Sequence, residues 1–134
     1  MAKKILVVDD DRDLVASLTQ VLKGNGYDVA AAFNGADGLK ALLAERPDLV
    51  ILDVMMETDT AGFEAADIIR SRRESSRYGE FRDVPIVILT AIDQVTNSRF
   101  SMDQSDSFLP GTNEFLTKPV DLDELLAKIG RALK

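Results

Sequence analysis

Residues 47–56 read PDLVILDVMM, and Leu49–Val54 within them is a strongly apolar strand of the kind a parallel sheet buries on both faces. The strand closes on a lone aspartate, Asp53. Working outward, Ile5–Asp9 is a second such strand and Val84–Thr90 a third, with Pro85 tolerated near its start. Asp28–Ala32 is a weaker strand and Glu114–Thr117 a short fifth.

Amphipathic stretches alternate with these runs. Leu14, Val15, Leu18, Val21 and Leu22 recur at helical spacing, and Gly24 and Gly26 stop that helix. Asn34 is placed to cap the next helix, whose Ala36, Leu39, Leu42 and Leu43 form one stripe before Pro47. Gly62–Arg73 reads as helical, with Phe63, Ala66 and either Ile69 or Ile68 inward. The last helix opens at Asp121, with Glu124 as its capping-box partner and Leu122, Leu125, Leu126, Ile129 and Leu133 inward. Only Ala91–Asn113 follows no clean period, although the alternation calls for a helix there. The pattern predicts an α/β fold: a doubly wound, five-stranded parallel sheet of flavodoxin-like order 2-1-3-4-5 with helices on both faces.

The chain's 134 residues are expected to form a single domain, 1–134, with no output domain attached. A formal net charge of −7 argues against direct nucleic-acid binding, because a phosphate backbone would be repelled. Without Cys there are no disulfides or thiolate metal sites. Without His there is no Ser/His/Asp catalysis, no His-ligated zinc and no histidine phosphocarrier. The apolar run Ile5–Val8 is too short for a signal peptide or a membrane span, so the expected location is cytoplasmic, away from any membrane.

In open parallel sheets the site forms outside the carboxyl ends of the strands. Those ends carry Asp9-Asp10, Asp53 and Thr90, and the fifth strand leads into Lys118-Pro119. If the first and third strands are neighbours, their ends lie about 5 Å apart, and three carboxylates crowd one pocket. Like charges at that range need compensation, and a Mg²⁺ ion with oxygen ligands supplies it. Lys118 brings a second positive charge and Thr90 a hydroxyl. Such a set suits phosphoryl transfer to a carboxylate. Asp53 is the expected nucleophile because it stands alone, while Asp9 and Asp10 are paired for the metal.

The segments KKILVVDDD, PDLVILDVMM, VPIVILTA and EFLTKPVDLDELL, in this order, resemble the receiver domain of bacterial two-component response regulators over nearly the whole chain. The resemblance implies that Asp9 and Asp10 bind Mg²⁺, that Asp53 accepts the phosphoryl group, and that the Met55 carbonyl completes the metal shell. It implies that Thr90 turns its hydroxyl toward the phosphoryl group, that Lys118 pairs with that group, and that Phe115 reports the switch by its rotamer. The implied donor is a phosphohistidine on a histidine kinase or phosphotransfer protein, and the implied output is an altered contact with a downstream protein or a second copy. Such a receiver is a signalling protein that catalyses only its own phosphorylation and dephosphorylation.

Each residue also has a plainer reading. Asp11 and Asp13 read best as cap and charge complement of the first helix and Met55 and Met56 as loop and core filler, while Phe115 fits core packing as well as it fits a switch. Three other functions compete, one of them an unphosphorylated structural relative used only for binding, which the intact acceptor set disfavours. A haloacid-dehalogenase-like phosphohydrolase would use Asp9 as its nucleophile, but Pro119-Val120-Asp121 opens a helix where that family needs a further acidic pair. A flavodoxin-type flavin module would need backbone donors where the first loop is acidic. The chain departs from the receiver pattern in three places. The Met55–Gly62 loop lacks the usual Pro-Gly turn and adds Glu57, and both the Glu74–Asp83 connection and the Thr90-to-Lys118 interval are longer than usual. Residues 91–114 are the segment expected to respond to phosphorylation.

Overall fold

β3 (Leu49–Asp53) lies at the middle of a five-stranded parallel sheet in the computed structural model, which describes residues 2–54, 65, 68, 69, 81, 84–91 and 113–133. β1 (Lys4–Val8) and β4 (Ile86–Ala91) flank it, and β2 (Asp28–Ala32) and β5 (Asn113–Lys118) form the edges, giving the order β2-β1-β3-β4-β5. Helix α1 (Arg12–Gly24) links β1 to β2, α2 (Gly35–Glu45) links β2 to β3, and α3 (Leu122–Ala132) follows β5. The order matches the expectation from alternation.

Strand periodicity explains why both faces are apolar. Ile5, Val7, Leu49, Ile51, Val87, Leu89 and Leu116 pack on Val15, Leu18 and Leu22 of α1 and on Leu125 and Ile129 of α3. The intervening residues Leu6, Val8, Val50, Leu52, Ile86 and Ile88 face Leu42 of α2, together with Ala65, Ile69 and Phe81. Each such side chain contributes about 1.5–3 kcal/mol when fully buried, so the two layers fix the sheet that carries the strand ends. Ala65, Ile68 and Ile69 are helical, and Ile69 is the inward isoleucine of its pair, Ile68 being exposed.

All three expected caps form. Asp11 accepts from the Leu14 N–H at 3.1 Å, Asn34 from Asp37 at 2.8 Å and Asp121 from Glu124 at 3.1 Å. Gly26 ends the turn after α1 at φ 89°, where a side chain is strained. Gly38 brings α2 against β1: a Cβ there would lie 2.9 and 3.0 Å from the two Val8 methyls.

Strand limits differ slightly from the sequence reading. β1 stops at Val8, which leaves Asp9 just beyond it, and β4 starts at Ile86, since Pro85 has no N–H to pair. β5 runs on through Lys118 and pairs it with Ala91. α2 ends at Glu45, two residues before Pro47, with Arg46 capping it in the left-handed region at φ 50°. Among the described residues no helix is long and apolar enough to cross a membrane. Expectations placed on Met55, Glu57, most of the Glu74–Asp83 loop and residues 92–112 lie outside the described residues.

Candidate functional site

Register alone brings the acidic residues together. Val8 pairs with Leu52, so Asp9 and Asp53 leave neighbouring strands side by side. Asp53 pairs with Leu89, so Thr90 lies one step beyond it on β4, beside Thr117 of β5. The ladder continues past both strand ends: the Asp9 N–H donates to the Ala32 carbonyl at 3.1 Å, and the Val54 N–H donates to that of Leu89 at 3.0 Å.

Asp9, Asp53 and Thr90 are buried, whereas Asp10 is exposed. Each of Asp9, Asp10 and Asp53 offers a carboxylate oxygen within 4.8 Å of the others. The Lys118 ammonium bridges two of them, 2.9 Å from Asp53 Oδ1 and 3.2 Å from Asp9 Oδ2. Asp9 Oδ1 accepts the Asp11 N–H at 2.9 Å, but buried Oδ2 has no partner with hydrogen-bond geometry; the Lys118 contact is an ion pair only.

Burial raises the Asp53 carboxyl to about 6, and the charges of Asp9 and Asp10 push the same way against the hydrogen bond and charge of Lys118. Burial alone would lower the Lys118 ammonium, yet its hydrogen bond to Asp53 and the charges of Asp9 and Asp53 hold it above its ordinary value. Unit charges about 4 Å apart interact by about 4 kcal/mol at an effective dielectric of about 20. One ammonium against three carboxylates therefore leaves the cluster electrostatically unsatisfied.

A divalent cation fits that imbalance. The donors are all oxygens, the class preferred by Mg²⁺, Mn²⁺ and Ca²⁺. Buried Asp9 Oδ2, which has no hydrogen-bond partner beside its ion pair with Lys118, keeps lone-pair capacity for a cation. Asp9, Asp10 and Asp53 are the residues that would hold the ion.

The remaining sequence-selected residues divide. Phe115 is half-buried and packs against the layer that contains α2. Met55 lies outside the described residues. Asp11 is the cap of α1, and Asp13 lies in its first turn. Sequence reading did not anticipate that Lys118 would bridge Asp9 as well as Asp53, because that depends on the β4–β5 register.

A family model described as the response regulator receiver domain matches residues 5–130. Response regulator MprA of Mycobacterium ulcerans is 37% identical over 134 residues, which is 100% of this chain and 51% of MprA. The chain thus spans about half the length of the curated relatives it matches. Among solved structures, the chemotaxis response regulator CheY4 of Vibrio cholerae superposes with a TM-score of 0.78 at 26% identity, covering 99% of this chain and 100% of CheY4. The signal receiver domain of a response regulator from Bermanella marisrubri gives 0.77 at 27% identity, with 100% of both chains covered.

Proposed function

This chain belongs to the response regulator receiver domain family, and from that premise we propose that it carries its signal as a phosphoryl group on Asp53. It is a signalling protein of the two-component type, and the family match favours this over the phosphohydrolase alternative. The observation that carries the assignment to Asp53 is the Lys118 bridge within the three-carboxylate cluster.

The donor is a phosphohistidine on a histidine kinase or phosphotransfer protein. An Asp53 carboxylate oxygen attacks phosphorus and forms the P–O bond as the P–N bond breaks, its electron pair leaving with the imidazole. Asp53 must be ionised to attack, and at neutral pH it is, since its carboxyl titrates near 6. Asp9, Asp10 and Asp53 would hold Mg²⁺, which would supply neutralisation of charge on the phosphoryl oxygens. Lys118, already in contact with Asp53, turns its ammonium to the new phosphoryl charge. Thr90, at the neighbouring strand end, offers its hydroxyl to the phosphoryl group and so couples phosphorylation to β4. Water attacks the same phosphorus in turn, breaking the P–O bond to Asp53 and releasing inorganic phosphate with the carboxylate as leaving group, so the domain also catalyses its own dephosphorylation. The consequence is a changed surface for a downstream protein or a second copy.

Incubation with Mg²⁺ and acetyl phosphate, followed by intact-mass measurement, tests this reading. One phosphoryl group per chain is expected for the wild type and none for Asp53→Asn or without Mg²⁺. An adduct of equal yield on Asp53→Asn would overturn the assignment.

A further inference from the structure

The first turn of α1 aims Asp9. Asp9 Oδ1 accepts the Asp11 backbone N–H at 2.9 Å, and this leaves Oδ2 turned toward Lys118 and the cluster. That N–H is itself held in place. The Asp11 carboxylate accepts the Leu14 N–H at 3.1 Å, and the Asp11 carbonyl accepts that of Val15 at 3.0 Å. Residue 11 stands in extended backbone, φ −81° and ψ 100°, as the N-cap of the helix. Its side chain is exposed, while Asp9 is fully buried.

We infer that Asp11 is a positioning residue for the metal site, acting through the helix cap and not through its charge. The chain of causes runs from the Asp11 carboxylate to the first turn of α1, from that turn to the Asp11 N–H, and from the N–H to the rotation of the Asp9 carboxylate. If the cap is lost, the first turn frays and the N–H wanders. Asp9 Oδ1 then loses its donor and the carboxylate is free to rotate, taking Oδ2 out of the cluster. Donors of this kind, one step behind a metal ligand, fix its orientation and are felt in affinity. The inference rests on the reading of Asp9 as a ligand.

The same geometry separates capping from charge. Asp11→Asn and Asp11→Ser keep a short side-chain acceptor and remove the negative charge, whereas Asp11→Ala removes both. Asn34→Ala removes the equivalent cap of α2 and serves as the control for general destabilisation, since Asn34 touches none of the cluster.

The test is Mn²⁺ binding followed by electron paramagnetic resonance, with amide exchange at residue 11 measured on the metal-free protein. Asp11→Ala is expected to bind Mn²⁺ about tenfold more weakly, the low end for loss of such support, and to exchange its residue-11 amide faster. Asp11→Asn, Asp11→Ser and Asn34→Ala are expected to retain wild-type affinity to within about threefold, well short of that loss. Equal weakening by Asp11→Asn and Asp11→Ala would mean that charge, not capping, matters, and would overturn the inference. So would equal weakening by Asn34→Ala, or wild-type affinity in Asp11→Ala. Failure of the wild type to bind Mn²⁺ would overturn the underlying reading of Asp9, and the inference with it.

Discussion

The Lys118 ammonium lies 2.9 Å from Asp53 Oδ1, and this contact joins the end of β5 to the end of β3 across the whole width of β4. It forms because β5 runs on through Lys118 in register with Ala91, while Asp53 pairs with Leu89 on the other side of β4. The same ammonium reaches Asp9 on β1's far side of the cluster at 3.2 Å. Among the described residues it is the ammonium that contacts both buried carboxylates.

Removing it should therefore cost stability. Lys118→Ala is expected to lose about 2 kcal/mol without metal, less than for a fully buried pair because the lysine is partly exposed. Mg²⁺ should then stabilise the variant more than the wild type, since more uncompensated charge remains for it to neutralise. Urea unfolding with and without Mg²⁺ reads both effects. Equal metal stabilisation of the two proteins would contradict this electrostatic account.

Asp53 sets a pH dependence of opposite sign to that of a salt-bridged carboxylate. Its folded value, about 6, lies above the ordinary 3.8, so it favours the folded state at low pH. That contribution fades as pH rises between about 4 and about 6. Asp53→Asn has no such group. In metal-free buffer its melting temperature should exceed that of the wild type by about 2–5 °C at pH 7, with the gap closing toward pH 4. A gap that is constant or reversed over this window would show that Asp53 is not penalised by burial.

Packing behind the site makes a third prediction. A Cβ on Gly38 would press into both Val8 methyls, and Val8 immediately precedes Asp9. Gly38→Ala should destabilise by about 1–3 kcal/mol, as overpacking does. Adding Val8→Ala removes the clashing methyls, so the double variant should be more stable than the sum of the single losses implies. Strict additivity in urea unfolding would show that the close approach carries no strain.

The legible part of this protein was what local chemistry dictates. Continuous apolar runs at Ile5–Val8, Leu49–Leu52 and Ile86–Leu89 marked strands buried on both faces, and the structure places them at the centre of the sheet. Asp11, Asn34 and Asp121 were readable as caps because a short acceptor before an apolar helix has few other uses. The carboxylate cluster followed from the strand ends once β1 and β3 were taken as neighbours. What could not be read depended on register and depth. Nothing local reveals that Lys118 touches Asp9, or that Ile69 rather than Ile68 faces the core. The choice between switch and core packing for Phe115 also stays beyond the sequence, because a half-buried aromatic on β5 serves either role.

Thr90 should separate phosphorylation from its consequence. It is buried one residue before the end of β4, next to Asp53's partner Leu89. Thr90→Ala is expected to take up the phosphoryl group from acetyl phosphate in full yield, yet respond less to beryllofluoride in hydrogen exchange across residues 91–114. Loss of phosphorylation equal to that in Lys118→Ala would show that the two residues do not divide the work in this way.

The most direct test of the central claim is to find which carboxylate carries the phosphoryl group. The protein is phosphorylated with acetyl phosphate and Mg²⁺, the acyl phosphate is trapped by borohydride reduction, and the peptides are sequenced by mass spectrometry. Reduction of an aspartyl phosphate leaves homoserine at the modified position. Homoserine at residue 53 alone is the expected result, and homoserine at residue 9 in its place would contradict the assignment and favour the phosphohydrolase alternative.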